Sequence, residues 1–193
     1  MEYIDSLPNS VNIYEKIMND CNENDDDSII KVSNDVLIEH GQLLRLNQQC
    51  INCALTHFQL FFQKYTIKEF DPNLIISACL FIAAKIYDFP LNGRHIISNF
   101  QQKIKSFHYE INDLLCCEHF LLITLTEYIY VYDINQHLLI FLSKLKKNNK
   151  LLDSTQFIQT NINIINDMYR TSILIDTIYN KQQSPDIIVF ASL

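Results

Sequence analysis

The chain has 193 residues, 48% of them apolar and 19% charged, which is enough apolar material for a substantial core and too little length for more than two modest domains. Its formal net charge of -7 disfavours nucleic acid and anionic lipid as partners in general, leaves room only for a local basic patch, and makes a protein partner the natural expectation. The longest uncharged apolar run, Leu74 to Ala84, is too short to cross a bilayer of roughly 30 Å, and Met1-Glu-Tyr-Ile-Asp shows no basic-then-apolar leader, so an intracellular protein is expected.

Two glycines and four prolines leave little material for tight hairpins. Between these breakers apolar residues recur at about 3.6 positions, which predicts an all-α fold. In chain order, Ser10 to Asp20 reads as a short helix with Val11, Tyr14, Ile17 and Met18 on one stripe. The acidic run Cys-Asn-Glu-Asn-Asp-Asp-Asp ending at Asp27 follows, read as a solvated linker in preference to a charged recognition tail. Ser33 offers an N-cap for a helix through Val36, Leu37, His40 and Leu44, and Asn47 opens a second through Cys50, Ile51, Ala54, Phe58, Phe61 and Phe62 to Tyr65. Asp71-Pro72 starts a third, because aspartate caps and proline at the first helical position lacks only an N–H that would be unpaired anyway. Pro90 is expected to stop it. A short fourth helix runs from Gly93 to Lys103 and a fifth from Ile111 to about Leu125. Asp133 then caps a helix through Leu138, Leu139, Phe141 and Leu142, whose Lys144-Leu-Lys-Lys end suits a negative helix terminus. A long amphipathic segment from Ser154 to about Tyr179 completes the series.

The last nine residues, Pro185-Asp-Ile-Ile-Val-Phe-Ala-Ser-Leu193, align without gaps on Pro72-Asn-Leu-Ile-Ile-Ser-Ala-Cys-Leu80 with four identities. Each copy follows a long helix and a short polar connection, the mark of a duplicated helical domain whose second copy breaks off in its third helix. The expected organisation is therefore an N-terminal helix and acidic linker over 1–28, a first five-helix repeat over 29–130, and an incomplete second repeat over 131–193.

Two residues in the first repeat break the apolar pattern. From Leu74 to Ala84 only Ser77 is not apolar, so the third helix should be central and wrapped by its neighbours. Lys85 is where it first meets polar surroundings. A solvated lysine at a helix C-terminus would explain it. In Leu114-Leu-Cys-Cys-Glu-His-Phe-Leu-Leu-Ile123, however, a carboxylate, Glu118, also interrupts an apolar run, and unpaired charge is costly there. Two isolated opposite charges on two core helices suggest each other as partners, and a surface pair worth about 0–1 kcal/mol does not require such placement, which favours a recognition surface.

Here the chain resembles the cyclin family. The pattern Ala-Cys-x-Phe-x-Ala-x-Lys-x-x-(Glu/Asp) is met by Ala78-Cys-Leu-Phe-Ile-Ala-Ala-Lys-Ile-Tyr-Asp88, and the family's fifth-helix glutamate by Cys117-Glu-His-Phe-Leu-Leu122. His57-Phe-Gln-Leu-Phe-Phe62, Phe70-Asp-Pro72 and Asn166-Asp-Met-Tyr-Arg-Thr171 add to it. The resemblance runs from about Ile29 to Leu193 and is strongest to the transcription-type members, cyclin C and then cyclin H. Tyr87 stands where cyclin C types usually carry a glutamate, and Asn135-Gln-His137 where the second repeat usually opens with Tyr-Arg-Pro.

The resemblance implies a cyclin fold and a regulatory subunit, not an enzyme, that binds and activates a cyclin-dependent protein kinase as a heterodimer. It implies transcription control in the nucleus, with the cytoplasm as a secondary location and a larger transcription complex as a further partner, and with no direct nucleic-acid or membrane contact and no cofactor. The rigid first repeat would bind the kinase with its αC helix turned inward and shift the equilibrium by that differential affinity. Lys85 and Glu118 would hydrogen-bond the kinase backbone, Ile82, Phe89 and Leu122 would supply apolar contact, and Asp88 keeps the acid that follows the lysine.

Other chemistry has little support. Cys50-x-x-Cys53 with His57 lacks the second pair a zinc site needs. The six cysteines mostly sit in apolar segments and are expected to be reduced, and Cys116-Cys117 has only His119 as an activating neighbour. No glycine-rich phosphate loop, Gly-x-Ser-x-Gly or His-Glu-x-x-His occurs. A transcription factor IIB-like DNA-binding protein shares the duplicated helical fold but would need a basic surface, and a cyclin-fold adaptor without a kinase is a third reading. Lys144-Leu-Lys-Lys-Asn-Asn-Lys150 reads as a solvated helix end before it reads as a nuclear signal.

Overall fold

The computed structural model describes residues 26–129, 131, 133–145, 155–171 and 175–180, and among them every regular element is helical. In order these are α1 (Asp26–Leu43), α2 (Gln48–Phe62), α3 (Pro72–Ile86), α4 (Gly93–Lys103), α5 (Ile111–Thr124), a 3-10 turn (Thr126–Tyr128), α6 (Ile134–Leu145), α7 (Thr155–Arg170) and a π-helical segment (Ile175–Asn180). The chain divides into two compact units, Met1–Tyr130 and Val131–Leu193. The expected helix at Ser10 to Asp20, the lysine-rich stretch beyond Leu145 and the repeated segment from Pro185 lie outside the described residues. Among the described residues, no helix is long and apolar enough to cross a membrane.

α1 starts earlier than Ser33 suggested. Asp26 and Asp27, expected in the linker, already belong to it. The stripe Ile29, Ser33, Val36, Leu37, His40 and Leu44 is buried, so the helical period passes straight through Ser33. Packing of that stripe outweighs the residue's preference for a cap. At the other end Arg45 adopts φ 58°, its N–H donates to the Gln42 carbonyl (2.9 Å) and the Leu46 N–H donates to the Gly41 carbonyl (2.9 Å). These paired bonds form a Schellman end, here with arginine in the left-handed position that glycine usually takes.

α3 is central to the first unit and packs on α1, α2, α4 and α5. Asp71 caps it by accepting from the Asn73 N–H (2.9 Å), with Pro72 in the first turn. Every residue from Ile75 to Ala84 is buried, as an all-round apolar helix must be. The helix ends at Ile86, before Pro90 can act. Asp88 takes φ 50°, its N–H donates to the Lys85 carbonyl (3.2 Å), and the Phe89 N–H donates to the Ala84 carbonyl (2.8 Å). This second Schellman end fixes where Asp88 and Phe89 leave the helix.

α2 is buried more completely than its stripe foretold. Every residue from Cys50 to Phe62 is buried, polar ones included. Those polar groups find partners. Gln48 donates to Asn52 Oδ1 (2.8 Å), the Thr56 hydroxyl donates to the Asn52 carbonyl (3.0 Å), and His57 Nε2 donates to the Ile129 carbonyl (3.0 Å). Such bonding is the condition for burying polar side chains at all.

The two glycines serve helix contact. A Cβ on Gly41 would lie 2.8 Å from Ile51 Cγ1, and one on Gly93 would lie 2.8 Å from Ile111 Cδ1. Gly41 thereby lets α1 approach α2, and Gly93 lets α4 approach α5. Lys64 closes the far end of α5 by donating from Nζ to the Thr124 carbonyl (3.1 Å), a cation at a negative helix end.

In the second unit α6 packs on α7, and Ile134, Leu138, Leu142, Ile165 and Tyr169 are buried. Asp133 caps α6 by accepting from the Gln136 N–H (3.2 Å). Asn135 donates to Asn166 Oδ1 (3.2 Å), tying the two helices near their ends. Within the amphipathic segment expected from Ser154 to about Tyr179, the α-helix ends at Arg170. There both the N–H (3.1 Å) and the hydroxyl (3.0 Å) of Thr171 donate to the Asp167 carbonyl.

Candidate functional site

The third and fifth helices bring the two anomalous charges together. Lys85, in the last turn of α3, places Nζ 2.5 Å from Glu118 Oε1 on α5. The side chains are 51% and 11% exposed respectively, so a nearly buried carboxylate is neutralised by a lysine that remains half in solvent. A carboxylate so placed without its counter-ion would carry a desolvation cost of several kcal/mol. The ammonium also lies 4.0 Å from the centroid of the Phe81 ring, one helical turn earlier on α3, within cation–π range.

Around this pair α5 presents an apolar ridge. Leu115, Glu118 and Leu122 stand three and four residues apart and therefore share one face. Leu115 is exposed and Leu122 half-buried. At the end of α3, Asp88 is exposed and Phe89 half-buried, both placed by the left-handed turn at Asp88. Five of the six residues singled out in the sequence, Lys85, Glu118, Asp88, Phe89 and Leu122, thus keep at least part of their surface on α3's end or α5. Ile82 does not. At 3% exposure it belongs to the core, because on a helix wrapped by four others its position faces inward.

Phe81 and Leu115 carry parts of the site that the sequence reading did not assign. The aromatic-to-lysine spacing of four on a helix was a usable signal for Phe81, and the three-residue spacing to Glu118 was one for Leu115.

The sulfur and imidazole groups are placed differently. Cys53, Cys79 and Cys117 are buried on α2, α3 and α5. Burial pushes the Cys117 thiol up to about 12 and raises those of Cys53 and Cys79 further, which suppresses thiolate and with it nucleophilic chemistry. Cys116 is exposed. His57 lies 3.9 Å from the Cys53 sulfur but directs Nε2 to the Ile129 carbonyl, and burial lowers its pKa. Among the described residues, no three His, Cys, Asp or Glu side chains are grouped as a metal site requires.

Comparison with known proteins agrees with this architecture. The family model "Cyclin, N-terminal domain" matches residues 5–130. Cyclin-C of Rattus norvegicus is 29% identical over 143 residues, covering 69% of this chain and 49% of the relative. Cyclin-C of Drosophila melanogaster is 29% identical over 143 residues, covering 69% and 51%. Cyclin-C1-1 of Oryza sativa subsp. japonica is 28% identical over 138 residues, covering 70% and 51%. The chain spans about half the length of the curated relatives it matches. Among solved structures, a chain of the yeast TFIIK (Kin28/Ccl1/Tfb3) complex superposes with a TM-score of 0.67 at 17% identity, covering 94% of this chain and 77% of that one. At that identity the likeness is one of fold.

Proposed function

Because the chain belongs to the cyclin family, we propose that it is the regulatory subunit of a cyclin-dependent protein kinase acting in transcription control, and that the Lys85–Glu118 surface is where the kinase docks. The observation that carries this reading is the ion pair itself, in which two core helices each contribute one charge to a single point on an exposed apolar ridge. Pairing with Lys85 offsets the desolvation of Glu118, but stability alone does not call for a carboxylate in that apolar run, since a hydrophobic residue of similar volume would serve at least as well. Docking gives it a purpose. Buried against a partner, the lysine offers donors to a backbone carbonyl and the glutamate an acceptor to a backbone N–H, while Leu115, Leu122 and Phe89 supply apolar contact and Asp88 a rim charge.

The chain itself catalyses nothing in this reading. Its five-helix first unit is a preformed surface that favours the kinase conformation with αC turned inward, and the kinase shifts to that state by the difference in affinity. Action in the nucleus goes with that transcription role, a reading that rests on the similarity to the cyclin-C relatives.

The test is titration of the full chain onto recombinant cyclin-dependent kinase catalytic subunits from its own organism. One of them is expected to bind the wild type, and Lys85→Ala and Glu118→Ala are each expected to weaken binding by about 2–5 kcal/mol, the scale for truncating a buried interfacial charge pair. Unchanged affinity in both variants, with unchanged circular dichroism, removes the docking assignment.

A further inference from the structure

We infer that Phe81 is the positioning residue of this docking surface, its ring holding the Lys85 ammonium in the orientation the kinase meets, an inference that rests on the docking role proposed above. A lysine 51% exposed ordinarily has its stem free and its head in water, and ordering it on binding opposes association. Here the head is fixed from two sides before any partner arrives. Glu118 Oε1 holds it at 2.5 Å, and the Phe81 ring centroid lies 4.0 Å from Nζ. The negative face of an aromatic ring attracts a cation, and more strongly as water is removed.

The platform is itself immobile. Phe81 is 7% exposed, in the middle of a turn whose neighbours are all buried. Its ring tip Cζ stands 3.5 Å from where a Cβ would project from Gly93, so the first turn of α4 lies against the ring. Ring and carboxylate together take up two directions around the ammonium and leave its remaining donors for the partner. Since Glu118 already neutralises the charge, an uncharged acceptor such as a backbone carbonyl fits this site better than a phosphate or carboxylate.

An ordinary core phenylalanine overlain by a lysine stem would show the same burial, and the two roles separate in a double-mutant cycle. Full-length wild type, Phe81→Leu, Lys85→Ala and the double variant are titrated onto the recombinant kinase subunit that binds the wild type. Phe81→Leu is expected to weaken binding about tenfold and to weaken it no further once Lys85 is alanine. In the free chain, the Lys85 ε-methylene protons are expected to show an upfield ring-current shift by NMR that disappears in Phe81→Leu. Should Phe81→Leu fail to fold, Phe81→Met, of similar volume without a ring, replaces it in both measurements. An equal loss from Phe81→Leu in both backgrounds, or no loss in either, overturns the positioning role while leaving docking intact. Unchanged affinity in Lys85→Ala and Glu118→Ala overturns the docking reading and this inference with it, and the ring-current shift then reports only on packing in the free chain.

Discussion

His40 shows what a single buried side chain does to the pH response of the molecule. Its Nδ1 lies 2.6 Å from Asn99 Oδ1, which accepts, so the proton sits on Nδ1 and the other nitrogen, Nε2, is buried with no hydrogen-bond partner among the described residues. The ring stacks on Phe100 at 3.9 Å. Burial lowers its pKa, against the opposing pull of the Asn99 bond and Glu39 and with a smaller push from Lys103. The folded state therefore keeps His40 neutral at a pH where the unfolded chain, titrating near 6.5, takes up a proton. Its stabilising contribution is complete above about pH 6.5 and is lost as pH falls toward the lower folded value. His57 shifts in the same direction, also from burial. Urea denaturation should give a lower stability at pH 5.5 than at pH 7.5, by at most about 1.4 kcal/mol per unit of pH per histidine, and His40→Gln should flatten that dependence. At this scale the sequence disclosed Lys85 and Glu118, because a charge inside an apolar run advertises itself. It did not disclose His40's solitary nitrogen or the inward direction of Ile82, since both depend on which neighbours close around a helix.

Helix ends and helix contacts respond in opposite directions to glycine. Arg45 is exposed and held at φ 58°, a conformation that costs a residue with a Cβ about 1–2 kcal/mol. Replacing it by glycine relieves that strain at an entropic cost of about 0.5–1 kcal/mol, so Arg45→Gly should raise stability by up to about 1 kcal/mol. Gly41→Ala should do the reverse, lowering stability by about 1–3 kcal/mol, because its new methyl group would stand 2.8 Å from Ile51 Cγ1 in a packed core. Midpoints of chemical denaturation distinguish the two signs directly. Element by element, α3, α4 and α5 were legible in the sequence because their starts are local, with Asp71-Pro72, Asn92-Gly93 and Glu110 lying at the caps. The start of α1 was not, since Ser33 looks like a cap to its neighbours and becomes a core residue only when α1 packs. The end of α7 was missed because the apolar stripe runs on past Arg170 and no glycine or proline marks the boundary.

For the molecule as a whole, the charge of -7 has a simple consequence. A protein that binds duplex DNA through its backbone must gather lysine and arginine against phosphates, so this chain should give no mobility shift with duplex DNA even at about 50 mM salt, where such binding is strongest. A salt-dependent shift would favour the transcription factor IIB-like reading instead. The all-α architecture was legible at this scale because so few glycines and prolines leave room for little else. The placement of those few glycines was not, and it shapes the surface. With both glycines committed to bringing helices close, the corners after α1 and α3 are turned by residues that keep their side chains. At the second corner that residue is Asp88. A glycine there would bend the chain with less strain but would bring no acid to the edge of the Lys85–Glu118 surface, so the sharpest bend beside the site also sets the local charge that an approaching partner first encounters.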